Sequence, residues 1–233
     1  MAAGLGSRMA PLTEKIPKPL VKVHGISMIE SVICGLQSRG ISHIYVVVGY
    51  KKEKFEFLKN KYNNLSLIDN TEFQIKNNIS SIYSVCDIMG SKHCFICESD
   101  LYVTDFSIFR KQFHQSCYYG KMFKGHSDDW VFDLNKEGRI IRVGKTGNNT
   151  YNMCGIAYFF HNDAKKIAEA VKEAYKRPGH EQLFWDDIVN EQLGNINLVV
   201  NPIEDSQIIE IDTIDELAAV APDYLEYNEV SDL

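Results

Sequence analysis

The first residues of the chain carry a pattern that could bind phosphate groups. Gly4 and Gly6 lack a Cβ atom, so the backbone around them can approach phosphate oxygens closely and present its N–H groups to them. Arg8 adds a permanently charged, forked donor that matches phosphate geometry. Lys18 follows between two prolines, in the stretch IPKPLV. These residue types predict a phosphate-binding loop served by two cations, Arg8 and Lys18.

Two better-known phosphate loops do not fit this opening. No Gly-Lys-Ser/Thr follows, as a P-loop requires, and the third glycine of the dinucleotide fingerprint is missing. A glycine-rich loop of this kind normally follows a buried strand, yet only Met1 and two alanines precede Gly4. Either the numbering begins inside the first strand or several residues are missing from the start.

A candidate carboxylate closes the apolar stretch HCFICESD. This stretch predicts a strand, and Asp100 would lie at the carboxyl edge of its sheet, where ligands of α/β folds bind. Cys94 and Cys97 form a C-x-x-C in the same stretch. Residues three apart in a strand point to opposite faces, and no second pair completes a metal site. The sequence therefore indicates buried thiols rather than a zinc or redox site.

The elements around these residues alternate between strands and helices. That alternation is typical of an α/β fold with a doubly wound, mostly parallel sheet. A helix beginning after Ser27, with Glu30 three residues later and Gly40 past its end, has the residues of a capped helix. The predicted elements are a helix in SMIESVICGLQSRG, a strand in HIYVVVGY, a helix at about 52–62, a strand in LSLID, a helix in NNISSIYSVCDIMG and a strand in HCFICESD.

The second half of the chain is more mixed and predicts a small antiparallel elaboration at one end of the sheet. It contains a hairpin in DWVFDLNKEGRIIRVGK with a turn near Asn135–Gly138, a strand in MCGIAYFF, helices at about 163–176 and 184–193, and strands in INLVV and QIIEID. One domain over 1–233 is expected, with halves of about 1–116 and 117–233. The tail DYLEYNEVSDL does not resemble a finished terminus, so this domain could begin a longer chain.

Composition narrows the class of protein. Hydrophobic residues make up 45% of the 233 residues and charged residues 24%, as in soluble globular proteins. A formal net charge of −6 disfavours a nucleic-acid binder, because no basic excess is present to displace counterions. No apolar run approaches the roughly 18 residues of a membrane helix, and no signal peptide is recognisable. We expect a cytoplasmic protein without nucleic-acid or membrane partners, whose anionic ligands are met by local charge or by a metal. The oligomeric state is not readable from the sequence.

The opening segment AAGLGSRMAPLTEKIPKPLVKVHG closely resembles the signature of the nucleotidyltransferases that activate sugar phosphates and alcohol phosphates. The resemblance implies a Rossmann-like three-layer sandwich with a mostly parallel mixed sheet. It also implies that Arg8 and Lys18 contact a nucleoside triphosphate, with Lys18 near the α-phosphate. The residues that carry it are Gly4, Gly6, Arg8, Pro11, Leu12, Thr13, Pro17, Lys18, Pro19, Leu20 and Gly25.

Within this group, the stretches VGY and NNISSIYSV resemble the bacterial CTP:phosphocholine cytidylyltransferases more than the sugar enzymes. The resemblance makes Asp100 a Mg²⁺ ligand and matches Asp212 to a second metal-site carboxylate, and Mg²⁺ prefers carboxylate and phosphate oxygens. It places the first half of the chain at the nucleotide and the second half at the acceptor. The nucleotide-binding residues that it implies are Ala2, Ala3, Gly4, Leu5, Gly6, Ser7, Gly49, Tyr50, Asn77, Asn78, Ser80 and Ser99.

Three later stretches, DDWVF, LFWDDIV and IIEID, resemble the places where phosphocholine enzymes bind their acceptor. A quaternary ammonium has no N–H to donate and is recognised by aromatic faces with a negative charge nearby. Phe184 departs from relatives that have tyrosine there: the ring face remains, but an amine with N–H donors would find one partner fewer. The acceptor-binding residues so implied are Trp130, Lys145 for the acceptor phosphate, Phe184, Trp185, Asp186 and Glu210.

The activity expected from this resemblance is transfer of CMP from CTP to phosphocholine, giving CDP-choline and pyrophosphate. The acceptor phosphate is ionised near neutral pH, with a second pKa of about 6, so attack on the α-phosphorus needs no general base. An alternative keeps the chemistry and changes the acceptor to 2-aminoethylphosphonate or a sugar 1-phosphate. An alternative of another class is a non-catalytic nucleotide-sensing domain.

Overall fold

The chain alternates strands with short helices, and the computed structural model describes residues 1–228. Its strands, in chain order, are β1 Lys22–Val23, β2 Ile26–Ser27, β3 Ile44–Val48, β4 Leu65–Asp69, β5 Cys94–Cys97, β6 Leu101–Val103, β7 Ser116–Leu134, β8 Ile140–Phe159, β9 Leu198–Pro202 and β10 Ile208–Glu210.

The helices lie between these strands and at the end of the described chain. The α-helices are α1 Met28–Ser38, α2 Phe57–Lys61, α3 Ile79–Tyr83, α4 Cys86–Met89, α5 Ser107–Arg110, α6 His161–Ala174, α7 Trp185–Gln192, α8 Ile214–Val220 and α9 Tyr224–Asn228. Short 3₁₀ turns span Ser7–Met9, Leu12–Glu14, Lys18–Leu20, Lys52–Phe55 and His180–Gln182.

The described chain divides into two compact units, each built from separated segments. The first unit contains Met1–Thr71, Glu98–Lys111 and the chain from Ser206 onward. In it β3 pairs in parallel with β4, and β6 pairs antiparallel with β10. The opening of the chain lies beside β3, because the Ala2 N–H donates to the Val47 carbonyl oxygen at 2.7 Å and Ala2 forms a parallel bridge to Val48. The opening loop therefore follows a short extended segment beside β3.

The second unit contains Glu72–Cys97 and Gln112–Asp205. Its four-stranded sheet has the order β5-β8-β7-β9, with β5 and β7 antiparallel to β8, and β9 parallel to β7. The fully buried Tyr118, Phe132 and Phe159 pack together in its core. The sheets are thus mixed, and the prediction of an α/β fold with an antiparallel elaboration is confirmed. The antiparallel part is longer than predicted, since β7 has 19 residues and β8 has 20.

Most predicted elements occur where the sequence places them. The helix after Ser27, the strands in HIYVVVGY and LSLID, and the hairpin turn are confirmed, and the Gly138 N–H donates to the Asn135 carbonyl oxygen at 3.0 Å. Two helical predictions were wrong in detail. NNISSIYSVCDIMG forms two short helices, α3 and α4, rather than one, and the stretch at 52–62 divides into a 3₁₀ turn and α2.

The assignment of the two halves of the chain to nucleotide and acceptor remains a prediction. The last residues of the tail, 229–233, lie outside the described residues. Within residues 1–228, no helix is both long enough and apolar enough to cross a lipid bilayer.

Candidate active site

The glycine loop is shaped by its contact with Lys18. Gly6 has a φ of +64°, a left-handed conformation that side chains rarely adopt, and a Cβ built on it would lie 2.7 Å from Lys18 Cβ. Thr13 Oγ1 donates to the Gly6 carbonyl oxygen at 3.0 Å and fixes the loop from the other side. At Gly4, by contrast, a Cβ would meet nothing within 4 Å. Gly6 is therefore required for the close approach of Lys18, whereas Gly4 faces open space that a ligand could enter.

Lys18 stands at the centre of a charged cluster in the first unit. Its Nζ donates to Asp100 Oδ2 at 2.8 Å and to Asp212 Oδ1 at 2.5 Å. The guanidinium of Arg8 reaches the same Asp212 oxygen at 2.8 Å. The sequence predicted these residues as two phosphate-binding cations and two metal-binding carboxylates. The structure brings all of them together.

Apolar residues next to the charged ones hold the cluster in place. Met9 follows Arg8, Val21 lies three residues after Lys18, and Ile211 precedes Asp212; these apolar side chains belong to one fully buried core cluster. Burying such a side chain stabilises the fold by about 1.5–3 kcal/mol. The charged side chains therefore project from well-anchored backbone rather than from loose loops.

A capping box fixes the backbone of Asp212. Glu216 Oε2 accepts the N–H of Asp212 at 2.7 Å and the N–H of Thr213 at 2.9 Å. In return, Thr213 Oγ1 accepts the N–H of Glu216 at 3.2 Å. This Thr-x-x-Glu pattern starts α8 and satisfies otherwise unpaired N–H groups. The carboxylate of Asp212 is thereby held at the beginning of the helix.

The cluster is electrostatically asymmetric. The Lys18 side chain is only 9% exposed, whereas Arg8 is 69% exposed. Burial by itself lowers the pKa of Lys18, but the adjacent carboxylates of Asp100 and Asp212 outweigh it, and the pKa lies above its ordinary value. Lys18 is thus a permanent, enclosed cation, and Arg8 is one that an incoming anion can reach.

The carboxylates in this cluster fit a hard divalent cation. Asp100 Oδ1 is buried and has no hydrogen-bond partner within residues 1–228, so one lone-pair-bearing oxygen is left over beside Asp212. Mg²⁺ is commonly bound by one or two carboxylates, with substrate phosphates and water completing its shell. In the described chain, no group of three or more His, Cys, Asp or Glu residues could hold a metal. A metal at Asp100 and Asp212 would therefore need further ligands from a substrate or from water.

Other predicted nucleotide-binding residues of the first unit mainly brace the loop. The Tyr50 N–H donates to the Ala3 carbonyl oxygen at 3.1 Å, and the Tyr50 hydroxyl donates to the Thr13 carbonyl oxygen at 3.1 Å. Ser99 is buried and its hydroxyl donates to the Met1 carbonyl oxygen at 2.5 Å. Leu5 and Ser7 are exposed and Gly49 is buried. Thr13, which was predicted only as part of the signature, holds both Gly6 and Tyr50.

The predicted nucleotide-binding residues 77–80 belong to the second unit. The Asn77 side chain donates to the Gln182 carbonyl oxygen at 2.7 Å, and Asn78 Oδ1 accepts the Trp185 N–H at 3.0 Å. Ser80 is buried and donates to the Asn77 carbonyl oxygen at 2.8 Å. These contacts hold the segment that leads into α7, where the predicted acceptor residues begin. Their role in nucleotide binding remains a prediction.

Trp130, Lys145 and Phe184 form a second cluster, in the second unit. Trp130 and Lys145 are direct cross-strand partners in the β7–β8 ladder. The Trp130 and Phe184 rings meet edge to face, with centroids 5.6 Å apart. Lys145 Nζ lies 5.9 Å from the Trp130 centroid and 5.5 Å from the Phe184 centroid. The ammonium of the protein itself thus lies over the rings predicted to receive an ammonium of the acceptor.

Arg142 fixes the backbone at Lys145 and was missed by the sequence reasoning. Its guanidinium forms a two-point ion pair with Asp133, at 2.6 and 3.1 Å. It also donates to the carbonyl oxygens of Lys145 at 3.1 Å and Thr146 at 2.8 Å. Thr146 has a φ of +64°, so this turn is unusual for a non-glycine residue. No local signal in RIIRVGK indicates these contacts, because they depend on how the strands pair.

Trp185 and Asp186 lie in the core of the second unit. Trp185 is 3% exposed and packs against Tyr118 and Phe159, with ring centroids 5.8 and 6.1 Å away. Asp186 is also 3% exposed, and its Oδ1 accepts the Tyr118 hydroxyl at 2.9 Å. Glu210, by contrast, is an exposed residue of the first unit, on β10 opposite Leu101. The predicted acceptor residues therefore form three groups. One is the accessible cluster around Lys145, one is the buried pair Trp185 and Asp186, and the last is Glu210, two residues before Asp212.

We expect Asp186 to make stability depend on pH. Burial raises the pKa of this carboxyl to about 7 from an ordinary value of 3.8. The folded state therefore binds an extra proton between these pH values, and the free energy of unfolding falls as pH rises towards 7. At about 1.4 kcal/mol per unit, the loss could reach about 4 kcal/mol. Asp186→Asn keeps an acceptor for Tyr118 and should remove this loss.

The measurement is urea unfolding of both proteins between pH 4 and pH 8. The stability of Asp186→Asn relative to the unsubstituted protein should increase steadily up to about pH 7 and then level off. A difference that is constant with pH would contradict the assignment. Glu191→Gln, at an exposed carboxyl of the same helix α7, is the matched control for a charge change.

Comparison with known proteins extends these observations. A family model described as nucleotidyl transferase matches residues 1–123. A 2-aminoethylphosphonate cytidylyltransferase of Lancefieldella rimae is 50% identical, covering 97% of this chain and 92% of that protein. A choline-phosphate cytidylyltransferase of Streptococcus pneumoniae is 31% identical, covering 93% of each. These matches extend over both units.

A solved structure agrees with the fold. The CTP:phosphocholine cytidylyltransferase from Streptococcus pneumoniae superposes with a TM-score of 0.87 at 28% identity, covering 95% of each chain. This agreement confirms the Rossmann-like α/β fold predicted from the sequence.

Proposed function

We propose that this chain, which belongs to the nucleotidyl transferase family and is a cytidylyltransferase, transfers CMP from CTP to 2-aminoethylphosphonate. The observation that supports this acceptor is the match to the 2-aminoethylphosphonate cytidylyltransferase of Lancefieldella rimae, which is 50% identical and covers 97% of this chain. The order of acceptors is thereby reversed with respect to the sequence-based expectation, which put phosphocholine first.

The proposed reaction is a substitution at the α-phosphorus of CTP. An ionised oxygen of the phosphonate forms the new P–O bond, the bond to the bridging oxygen of the β-phosphate breaks, and pyrophosphate leaves. The attacking oxygen carries its own charge, so no side chain has to remove a proton. The barrier comes from bringing two anions together and from charge that develops on the leaving group. Arg8 and Lys18 supply the positive charge that offsets both.

A magnesium ion belongs to this proposal, held by Asp100 and Asp212. When bound, it would neutralise triphosphate charge and orient the phosphates. The support is the chemistry of the donors, with one buried Asp100 oxygen left without a partner within residues 1–228. Arg8 is the exposed cation beside them and would meet the triphosphate first.

Lys145 is assigned to the anionic end of the acceptor. Its ammonium lies over Trp130 and Phe184, so these rings hold a lysine in place and reduce the cost of ordering it. A substrate ammonium could occupy the same ring faces only after Lys145 moves away, because it would otherwise lie next to the Lys145 ammonium and be repelled by it. Phosphonate oxygens, by contrast, are attracted to it.

Phosphocholine is the second candidate acceptor. It is favoured by the TM-score of 0.87 with a phosphocholine enzyme and by Phe184, whose ring has no hydroxyl for an amine N–H to bind. A trimethylammonium group needs only the ring face. Its charge would then replace that of Lys145 over the aromatic pair.

The test is a pyrophosphate-release assay that crosses four nucleoside triphosphates with 2-aminoethylphosphonate, phosphocholine and glucose 1-phosphate. CTP with 2-aminoethylphosphonate should give the highest kcat/KM. A higher value for phosphocholine would overturn the acceptor assignment. Binding of CTP without turnover with any acceptor would favour the non-catalytic alternative instead.

Replacing Lys145 by glutamine should raise the KM for the acceptor while leaving the KM for CTP nearly unchanged. A hydrogen bond from a charged group contributes about 1.5–3 kcal/mol, which corresponds to roughly a 10- to 100-fold increase in KM. Steady-state kinetics with each substrate varied in turn would measure it. Lys124→Gln, at an exposed lysine of the neighbouring strand β7, is the matched control. An equal rise in both KM values would mean that Lys145 is structural.

A further inference from the structure

The ammonium of Lys18 lies where two carboxylates converge. Its Nζ is 2.8 Å from Asp100 Oδ2 and 2.5 Å from Asp212 Oδ1, so it bridges one oxygen of each. Its side chain is 9% exposed, whereas those of Asp100 and Asp212 are 27% and 20% exposed. Lys18 is thus the least exposed of the three side chains, and its ammonium lies between the two carboxylates.

The charges of the cluster are balanced without any metal. Asp100 and Asp212 carry two negative charges, and Lys18 and Arg8 carry two positive ones. Asp212 Oδ1 is shared by both cations. A divalent cation that entered this cluster alone would meet two carboxylates already paired, with two positive charges within contact distance. Such a cation gains little from the carboxylates until one of their partners leaves.

A nucleoside triphosphate would supply the reason for them to leave. Its phosphate oxygens are strong acceptors for an ammonium or a guanidinium, and their negative charge can replace that of the carboxylates as the partner of Lys18 and Arg8. The glycine loop that would hold those phosphates contacts Lys18 directly, since the position of a Gly6 Cβ lies 2.7 Å from Lys18 Cβ. Phosphates seated on this loop are therefore within reach of the lysine.

We propose that Lys18 acts as a stand-in cation: without nucleotide its ammonium occupies the metal-binding side of Asp100 and Asp212, and the metal binds tightly only when a triphosphate draws Lys18 away. The proposal rests on the proposed function, because it takes the nucleotide and the metal from it. Binding of the two is then mutually reinforcing, and by linkage each raises the affinity of the other by the same factor. Lys18 serves as a counter-ion before binding and as a phosphate ligand afterwards.

The experiment measures binding of Mn²⁺ alone, without nucleotide, to the full chain. Free Mn²⁺ is read by electron paramagnetic resonance, so no turnover is required. Lys18→Gln removes the charge and keeps the length of the side chain, and it should bind Mn²⁺ at least 10-fold more tightly than the unsubstituted protein. Lys18→Arg keeps a cation there and should bind Mn²⁺ as weakly as the unsubstituted protein. Lys15→Gln, at an exposed lysine nearby in the chain, is the matched control and should change nothing.

A second substitution ties the gain to the carboxylates. Adding Asp212→Asn to Lys18→Gln should abolish the tighter Mn²⁺ binding. Equal Mn²⁺ affinities for Lys18→Gln and the unsubstituted protein would overturn the proposal, and so would a gain that survives Asp212→Asn. Circular dichroism checks the fold, and Lys18→Met is the replacement if Lys18→Gln does not fold.

The outcome is separable from that of the proposed function. An error in the acceptor would appear in the pyrophosphate-release assay and leave the Mn²⁺ result unchanged. If the role proposed for Lys18 is wrong, Lys18→Gln will not bind Mn²⁺ more tightly, although the unsubstituted protein still turns over CTP.

Discussion

Replacing Lys18 by alanine is expected to lower kcat by about 10²–10³-fold or more, the usual effect of removing one preorganised charge-stabilising donor. Lys18 is an enclosed cation, and none of its neighbours can substitute for it. Arg8 is 69% exposed and projects from the opening loop, where it faces solvent as well as Asp212. Pyrophosphate release at saturating CTP and acceptor would measure the loss, with Lys15→Ala as the matched control. A kcat within threefold of the unsubstituted value would remove Lys18 from the mechanism.

The same substitution also disturbs the fold locally. It leaves Asp100 and Asp212 facing each other without the ammonium that separates them, so a lower Tm is expected. Lys18→Arg keeps the charge but replaces a compact ammonium by a planar group. If this variant is as stable as the unsubstituted protein and still slow, the loss of activity comes from the position of the charge and not from unfolding.

Asp100→Asn is expected to lower kcat by about 10²–10⁴-fold and to raise the Mg²⁺ concentration needed for half-maximal rate, in line with the several kcal/mol that a catalytic metal supplies. The change keeps the size of the side chain and removes its negative charge. It affects the residue that has a buried oxygen without a hydrogen-bond partner in the described chain. An amide in its place is a much weaker ligand for Mg²⁺ than a carboxylate.

A Mg²⁺ titration of the rate for both proteins would measure this effect. Asp215→Asn removes a carboxylate from an exposed position on α8 and serves as the control for net charge. If the Mg²⁺ dependence and kcat were unchanged in Asp100→Asn, this carboxylate would not hold the metal.

Local signals predicted the elements of the first unit well and failed where side chains compete with the backbone. α1 begins after Ser27 as its sequence indicates, although the Ser27 hydroxyl donates to Glu30 Oε2 at 2.7 Å instead of accepting a backbone N–H. The predicted helix in NNISSIYSVCDIMG breaks after Tyr83. Ser84 donates to the carbonyl oxygens of Ser80 and Ser81, which offers the backbone an alternative to a continuous helix. Apolar periodicity does not report such competition.

At the candidate site, too, the sequence predicted the residue types but not the contacts between distant residues. The signature predicted the types of residue at the phosphate loop, but not that Lys18 would bridge both carboxylates, because that contact joins residues 82 and 194 positions apart. The aromatic residues of the second half were predicted as one acceptor pocket. Their sequence does not distinguish the accessible Trp130 from the buried Trp185, since both follow or precede aspartates in similar surroundings. The difference is set by the fold: Trp130 lies on β7 opposite Lys145, whereas Trp185 begins α7 and packs against Tyr118 and Phe159.

The charged cluster can assemble only late in synthesis, because its residues lie far apart in the sequence. Lys18 leaves the ribosome early, and Asp212 lies 194 residues further along. At about 5–20 residues per second, that interval is roughly 10–40 s, during which the nascent chain has the lysine and the glycine loop but at most one of the two carboxylates. A truncated product that ends before β10 therefore cannot assemble the cluster. Premature termination anywhere in the second unit should yield inert polypeptide and not a partial enzyme that consumes CTP.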